Sequence, residues 1–207
     1  MAQAAAFTAD LQAQVDAQLP ASKAAEFGRV ALLKRLLADD PDPSADPQEN
    51  LPLVGAARGD SAAAIAFLLS QHVPVDQSGF KGRTPLIHAL MTDSAQAVDA
   101  LLRAGADVNL PEANGVTPLM HAAMKGNLRL IEDLLSSGAR VNQQTGSGFT
   151  ALMCAVLATQ PAVVDLLCKK GADVHARDRR GRAAVDIAAR IGSSLLHDQL
   201  VGYGAGA

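Results

Sequence analysis

Gly82, Gly115, Gly148 and Gly181 recur every 33 residues, and the residues around them recur in step. Thr84-Pro85-Leu86, Thr117-Pro118-Leu119 and Thr150-Ala151-Leu152 follow the first three. Later in each unit come a leucine pair and a Gly-Ala step: Leu101-Leu102 with Gly105-Ala106, Leu134-Leu135 with Gly138-Ala139, Leu166-Leu167 with Gly171-Ala172. A period of this length marks stacked units, because one such unit cannot bury its apolar face alone and must lean on a copy of itself.

Within the unit that starts at Gly115, Thr117 can cap a helix whose first turn holds Pro118, where a missing N–H costs nothing. That helix, 118–125, is short and alanine-rich and stops at Gly126. Asn127 can cap a second helix over 128–137, whose Leu130, Ile131, Leu134 and Leu135 form one apolar stripe. Gly138 supplies the left-handed position after it. The chain then runs extended to a turn such as Asn114-Gly115, giving an L-shaped unit of helix, turn, helix and hairpin-like loop.

The frame extends outward. Residues 8–19 read as a short helix capped by Thr8, with Leu11, Val15 and Leu19 on one face; Pro20 ends it and Ser22 can cap the next. Ala24-Ala25, Gly28 and Leu36-Leu37 place a degenerate unit before residue 50, so that 8–49 forms an N-terminal cap. Its linker, Asp39 to Pro47, is acidic, proline-rich and non-helical. Units at 50–81, 82–114, 115–147 and 148–180 follow. A cap at 181–201 lacks the Thr-Pro pair and the Gly-Ala-Asp ending, and 202–207 is expected to be a flexible tail. The expectation is a single all-α domain over 1–207, a solenoid of about six stacked helix-turn-helix units with irregular ends.

Apolar residues make up 49% of the chain but aromatics only 3%, so the core must be built from Ala, Leu, Val and Ile on closely approached helices. A net charge of −3 does not argue for nucleic acid. Its distribution is uneven: 8 Lys/Arg against 14 Asp/Glu over 1–114, and 10 against 7 over 115–207. This describes either an ordinary solvated surface or a dipolar molecule that orients a charged partner. Two cysteines, Cys154 and Cys168, are too few for a disulfide framework and point to a reducing compartment. With neither a signal-like N-terminus nor a run approaching a membrane span, the expected location is cytoplasmic.

Chemistry is sought and not found. His88 and His121 recur at the period with Cys154 in the third slot. Stacked helices lie about 8–10 Å apart, too far for such residues to share a zinc ion at about 2.0–2.3 Å from each ligand. Cys168 stands beside Lys169 and Lys170, which could lower its pKa. Gly146-Ser147-Gly148 and the glycines of 202–206 lack the strand-to-helix setting of a phosphate cradle. Capping accounts for Asp107 and Asp173 better than acid–base work does. No catalytic centre, metal site or cofactor is expected.

The frame Gly82-Arg83-Thr84-Pro85-Leu86 through Gly105-Ala106-Asp107-Val108-Asn109, and again Gly171-Ala172-Asp173-Val174-His175, resembles the ankyrin repeat family. The resemblance covers 50–200 and is closest over 82–180; the composition also resembles that of bacterial proteins. One departure is that the family's Thr-Pro-Leu-His becomes Thr-Pro-Leu-Ile87, Thr-Pro-Leu-Met120 and Thr-Ala-Leu-Met153, with His88 and His121 one place later. Apolar packing is expected to replace the hydrogen bonds of that histidine.

The resemblance implies protein binding through a concave face of loop tips and inner short helices. Carried onto this chain, the tips are Phe80, Lys81 and Arg83; Ala113, Asn114 and Val116; Ser147 and Phe149; Arg179, Arg180 and Arg182. The inner-helix positions are Met91 and Thr92, Met124 and Lys125, Leu157 and Ala158, Arg190 and Ile191. Phe80, Met91, Val116, Met124, Phe149 and Leu157 are apolar where such a surface is usually polar, and exposed together they form a ridge leading to the arginines. Alternatively Met91, Met124 and Leu157 turn inward and pack between units. Phe149 is the first candidate for an energetic anchor. The implied function is a non-catalytic, monomeric module that binds a protein as an inhibitor, immunity-like protein or regulatory adaptor. A host-directed effector scaffold is another use. Nucleic-acid association through the loop from Arg177 to Arg182 is a poorer reading, because no aromatic residue stands beside those arginines to stack on bases.

Overall fold

In a computed structural model the protein is described over residues 19–39 and 51–205. The helix expected at 8–19, apart from Leu19, and the acidic linker beyond Asp39 lie outside these residues. Among the described residues twelve helices form six consecutive pairs: α1 (Ala21–Glu26) with α2 (Val30–Asp39), α3 (Pro52–Arg58) with α4 (Ala62–Ser70), and α5 (Pro85–Met91) with α6 (Ala95–Arg103). Then come α7 (Pro118–Lys125) with α8 (Leu128–Ser136), α9 (Ala151–Leu157) with α10 (Pro161–Lys169), and α11 (Ala184–Arg190) with α12 (Ser194–Gly202). No strand occurs among the described residues.

Local chemistry starts these helices where the sequence says it should. The hydroxyls of Thr84, Thr117 and Thr150 accept hydrogen bonds at 3.3 Å from the amides of Ile87, Met120 and Met153. Ser61, Asn127 and Ser193 cap the second helices of their pairs in the same way. Each such cap contributes about 1 kcal/mol. Gly126 ends α7 at φ 82°, where a side chain would be strained.

The first helices of the pairs stack in one row and the second helices in another, and the first row is the more closely packed. The first row is termed inner and the second outer. Leu86, Leu119 and Leu152 from the inner row meet Leu101, Leu134 and Leu167 from the outer row, all at most 1% exposed. Truncating one of these to alanine costs about 2–5 kcal/mol. Ile87, Met120 and Met153 are also buried, so apolar contact does occupy those positions. At the N-terminal end, α1 and α3 touch backbone to backbone. A Cβ on Gly55 would lie 2.1 Å from the Ser22 carbonyl oxygen, and one on Gly59 1.7 Å from that of Glu26.

Side chains on the loops tie neighbouring units. Asn109 donates to the Gly138 carbonyl at 3.1 Å and accepts from the Arg140 amide at 2.8 Å. Asn142 repeats both bonds one unit on, with Gly171 and Asp173.

Three local expectations are corrected. Ser22 is not the N-cap of α1: the helix begins at Ala21 behind Pro20, and the Ser22 hydroxyl is buried without a partner. Asp39 is not in the linker but is the last residue of α2, because Pro41 restricts only the residue before it. The tail expected to be flexible from Gly202 is fixed as far as Ala205. Gly202 closes α12, Tyr203 Oη donates to Asp165 at 2.5 Å, and Ala205 is 2% exposed. Gly204-Ala205 lies 33 residues after Gly171-Ala172, and the Ala205 amide bonds to the Leu200 carbonyl as Ala172 does to Leu167. The last unit therefore keeps its Gly-Ala step.

The last described pair is polar at two of the periodic positions: Asp186 stands where earlier units have Ile87, Met120 and Met153, and His197 where they have Val98, Ile131 and Val164.

Candidate protein-binding face

Between successive units the chain closes four short loops, and each closes the same way. The amides of Gly79, Glu112, Thr145 and Asp178 donate to the carbonyls of Arg83, Val116, Phe149 and Arg182 at 2.9–3.0 Å. Side chains at or near the head of each later loop then grip it from within. Asn114 Oδ1 accepts from the Val116 amide, Thr145 Oγ1 from the Phe149 amide, and Asp178 Oδ1 from the amides of Arg180 and Arg182. Adjacent tips are also joined: Ala113 N–H donates to the Lys81 carbonyl at 2.7 Å, and Arg179 N–H to that of Ser147 at 2.9 Å. Loops held by this many bonds lose little freedom on binding, which favours their use as a recognition surface.

The apolar candidates divide by exposure. Phe80 is 53% exposed, Leu157 49% and Met124 40%, so Met124 and Leu157 do not turn inward. Met91 and Val116 are half-buried. Phe149 is half-buried and packs against the core, so its role as first anchor is not supported by exposure; Phe80 is the exposed aromatic residue of this face. The same position in the other loops, Arg83, Val116 and Arg182, is half-buried too.

The polar candidates divide by partner. Arg83 is not a free tip residue, because its Nε donates to Glu112 at 2.6 Å. Arg182 is likewise committed, donating to Asp178 Oδ2 at 2.9 and 2.6 Å. Arg179, Arg180 and Arg190 are exposed and meet no carboxylate among the described residues. Lys81, Asn114 and Lys125 are exposed, and the Lys81 ammonium lies 5.2 Å from the Phe80 ring centre.

Burial alone would raise the Glu112 carboxyl, but hydrogen bonds from Arg83 and Asn114 and the charges of His121 and Arg83 hold it below its ordinary value. Burial pushes the His121 imidazole down, and the neighbouring Glu112 only partly opposes this. The Arg182 hydrogen bond keeps Asp178 ionised well into acid.

Leu157, Phe149, Ile187 and Ile191 line a cavity of about 380 Å³ whose rim carries Arg180, Arg182 and Arg190. Ile187, 2% exposed and buried like its counterparts His88, His121 and Cys154, lines this cavity although it is not among the expected face residues. The signal was available as the one aliphatic residue in that column.

The expectation of a lowered Cys168 pKa is corrected. Burial, and then the charge of Asp165, push the thiol up to about 11, outweighing the nearby lysines. Cys154 is also pushed up to about 11 by burial. Asp107 and Asp173 do not cap helices; each accepts the amide two residues on, Asn109 or His175, and so shapes a turn. No group of three or more His, Cys, Asp or Glu residues suited to a metal ion occurs among the described residues, and no helix there is long and apolar enough to cross a membrane.

No curated protein matches the chain. The family model described as ankyrin repeats (3 copies) matches residues 21–112 and 93–178, which together run from the start of the first helix pair to Asp178 at the head of the fourth loop. The chain belongs to the ankyrin repeat family.

Proposed function

We propose that this chain is a non-catalytic, monomeric module that grips a protein partner along its inner face, as an inhibitor, immunity-like protein or regulatory adaptor. Ankyrin repeats are in general protein–protein interaction modules. The observation that carries the reading here is the exposure of Met124 and Leu157 at the same place in consecutive inner helices, flanked by loops fixed by their own hydrogen bonds. A solvated flank has no need of large apolar side chains at both positions, whereas an interface core favours them. Phe80, Lys81, Asn114, Val116, Lys125, Phe149, Arg179, Arg180 and Arg190 complete the proposed face. Met91, half-buried, supports it from behind; Arg83 and Arg182 serve it by fixing the tips.

The test is a pull-down from the native cell with the wild-type chain and with Met124→Asp/Leu157→Asp. Both side chains are exposed, so the double variant is expected to keep its helical circular dichroism while losing the specific partner. Retention of that partner at wild-type level would place the binding surface elsewhere.

A further inference from the structure

We infer that the C-terminal end of the inner face is a seat for an acidic segment of a protein partner, with an apolar side chain in the cavity over Leu157, Ile187 and Ile191 and carboxylates on Arg180 and Arg190. The inference rests on the inner-face reading and narrows it to one chemistry.

The charges of this end do not cancel. Arg182 is neutralised by Asp178, and Arg177 lies on the Gly181 carbonyl at 2.7 Å and 3.7 Å from Asp186. Arg180 and Arg190 are left exposed at the cavity, and Arg179 on the adjoining tip, with no carboxylate beside them among the described residues. The other end differs, since Arg83 there is already paired with Glu112. Guanidinium groups match carboxylates in a two-pronged geometry, so the free arginines select for Asp and Glu. The apolar floor selects for a segment that also carries a large aliphatic or aromatic side chain. This combination disfavours nucleic acid, whose phosphates have nothing to place in the cavity and whose bases find only the half-buried Phe149 ring beside the arginines. The excess of basic residues over 115–207 and of acidic ones over 1–114 would turn an acidic partner toward this end.

A random dodecapeptide display library selected on the immobilised full chain tests this, followed by fluorescence anisotropy with the selected peptides made synthetically. Selected sequences are expected to carry Asp or Glu within two positions of Leu, Ile, Met or Phe. Their affinity should fall roughly tenfold or more with Arg180→Glu/Arg190→Glu and with Leu157→Asp, fall as salt rises, and change little with Glu132→Gln on the outer helix α8. Unchanged thermal melting of each variant secures the comparison. Failure to select any peptide, absence of acidic bias, or indifference to the Arg180/Arg190 reversal overturns the inference. Peptides weakened by Met124→Asp but not by that reversal would sink it while leaving the inner-face reading in place; indifference to every variant would sink both. Tight binding of a synthetic 39–49 peptide to the same arginines would make a second copy of this chain the occupant, against the inference.

Discussion

Glu112 and Asp178 occupy the same place in two units of the stack, and both are buried acids paired with an arginine, yet they do different things. Glu112 reaches across loops: it accepts from Arg83 of the preceding loop at 2.6 Å and stands 3.6 Å from His121 Nε2 on the inner helix that follows. Every bond of Asp178 stays in its own loop, with Arg182 and the amides of Arg180 and Arg182. The first carboxylate joins two loops and takes up the charge of Arg83, while Lys81 at the same end stays exposed. The second stiffens one tip, hides a single arginine, and leaves three others available. A repeated position in a solenoid can thus serve stability at one end and recognition at the other.

The largest expected break is at Glu112. Glu112→Ala leaves Arg83 without its partner and is expected to lower unfolding stability by about 3 kcal/mol, read from urea denaturation. Asp178→Ala should cost less stability than Glu112→Ala while weakening partner binding more than Arg83→Ala does, because it loosens the tip that positions Arg179 and Arg180. Equal losses in urea for the two acid variants would erase the distinction.

Acid should expose the same contrast more gently. Glu112 and His121 are both held below their ordinary values of 4.5 and 6.5. For each, the unfolded chain binds protons first, so the stabilisation is complete above the ordinary value and is lost as pH falls through the lowered one. The urea midpoint is expected to decline from pH 6.5 downward through His121, and further through the carboxylate range as Glu112 and Asp178 protonate. His121→Gln should remove the first part of that decline, whereas Asp178→Asn should leave it intact.

The smallest effect sharpens the comparison from the opposite direction. Thr159 ends the turn after α9 at φ 53°, where a β-branched residue is strained and where Gly126 and Gly192 stand in neighbouring units. Thr159→Gly is expected to raise stability by about 1 kcal/mol. It should leave binding at the arginine end unchanged, since the strain lies in the helix–helix turn and not in a tip.

Much of this was legible because it is written at a fixed period. The threonine and asparagine caps, the Leu101, Leu134 and Leu167 column, and Gly126 and Gly138 as left-handed turn residues all follow from the frame itself. The frame also held the Gly204-Ala205 step, which was overlooked because a glycine-rich terminus reads as a tail when no partner is in view. Long-range pairings were not legible. Nothing local in Arg83 says that its charge is taken up by a carboxylate 29 residues away, nor that Asp165 accepts from Tyr203. Phe149 and Phe80 stand in different columns of the frame: Phe149 with Arg83, Val116 and Arg182, all half-buried, and Phe80 with Ala113 and Arg179, all exposed. Gly55 and Gly59 could have been recognised by their four-residue spacing on α3, but the backbone they touch belongs to α1.

The inner face is tested most directly by site-specific photo-cross-linking in the native cell. A benzophenone amino acid is placed in turn at Leu157, Met124 and, on the outer helix α8, the exposed Glu132. Covalent capture of one and the same protein from positions 157 and 124, with none from 132, is the predicted result. Capture of that protein from position 132 alone would contradict the account.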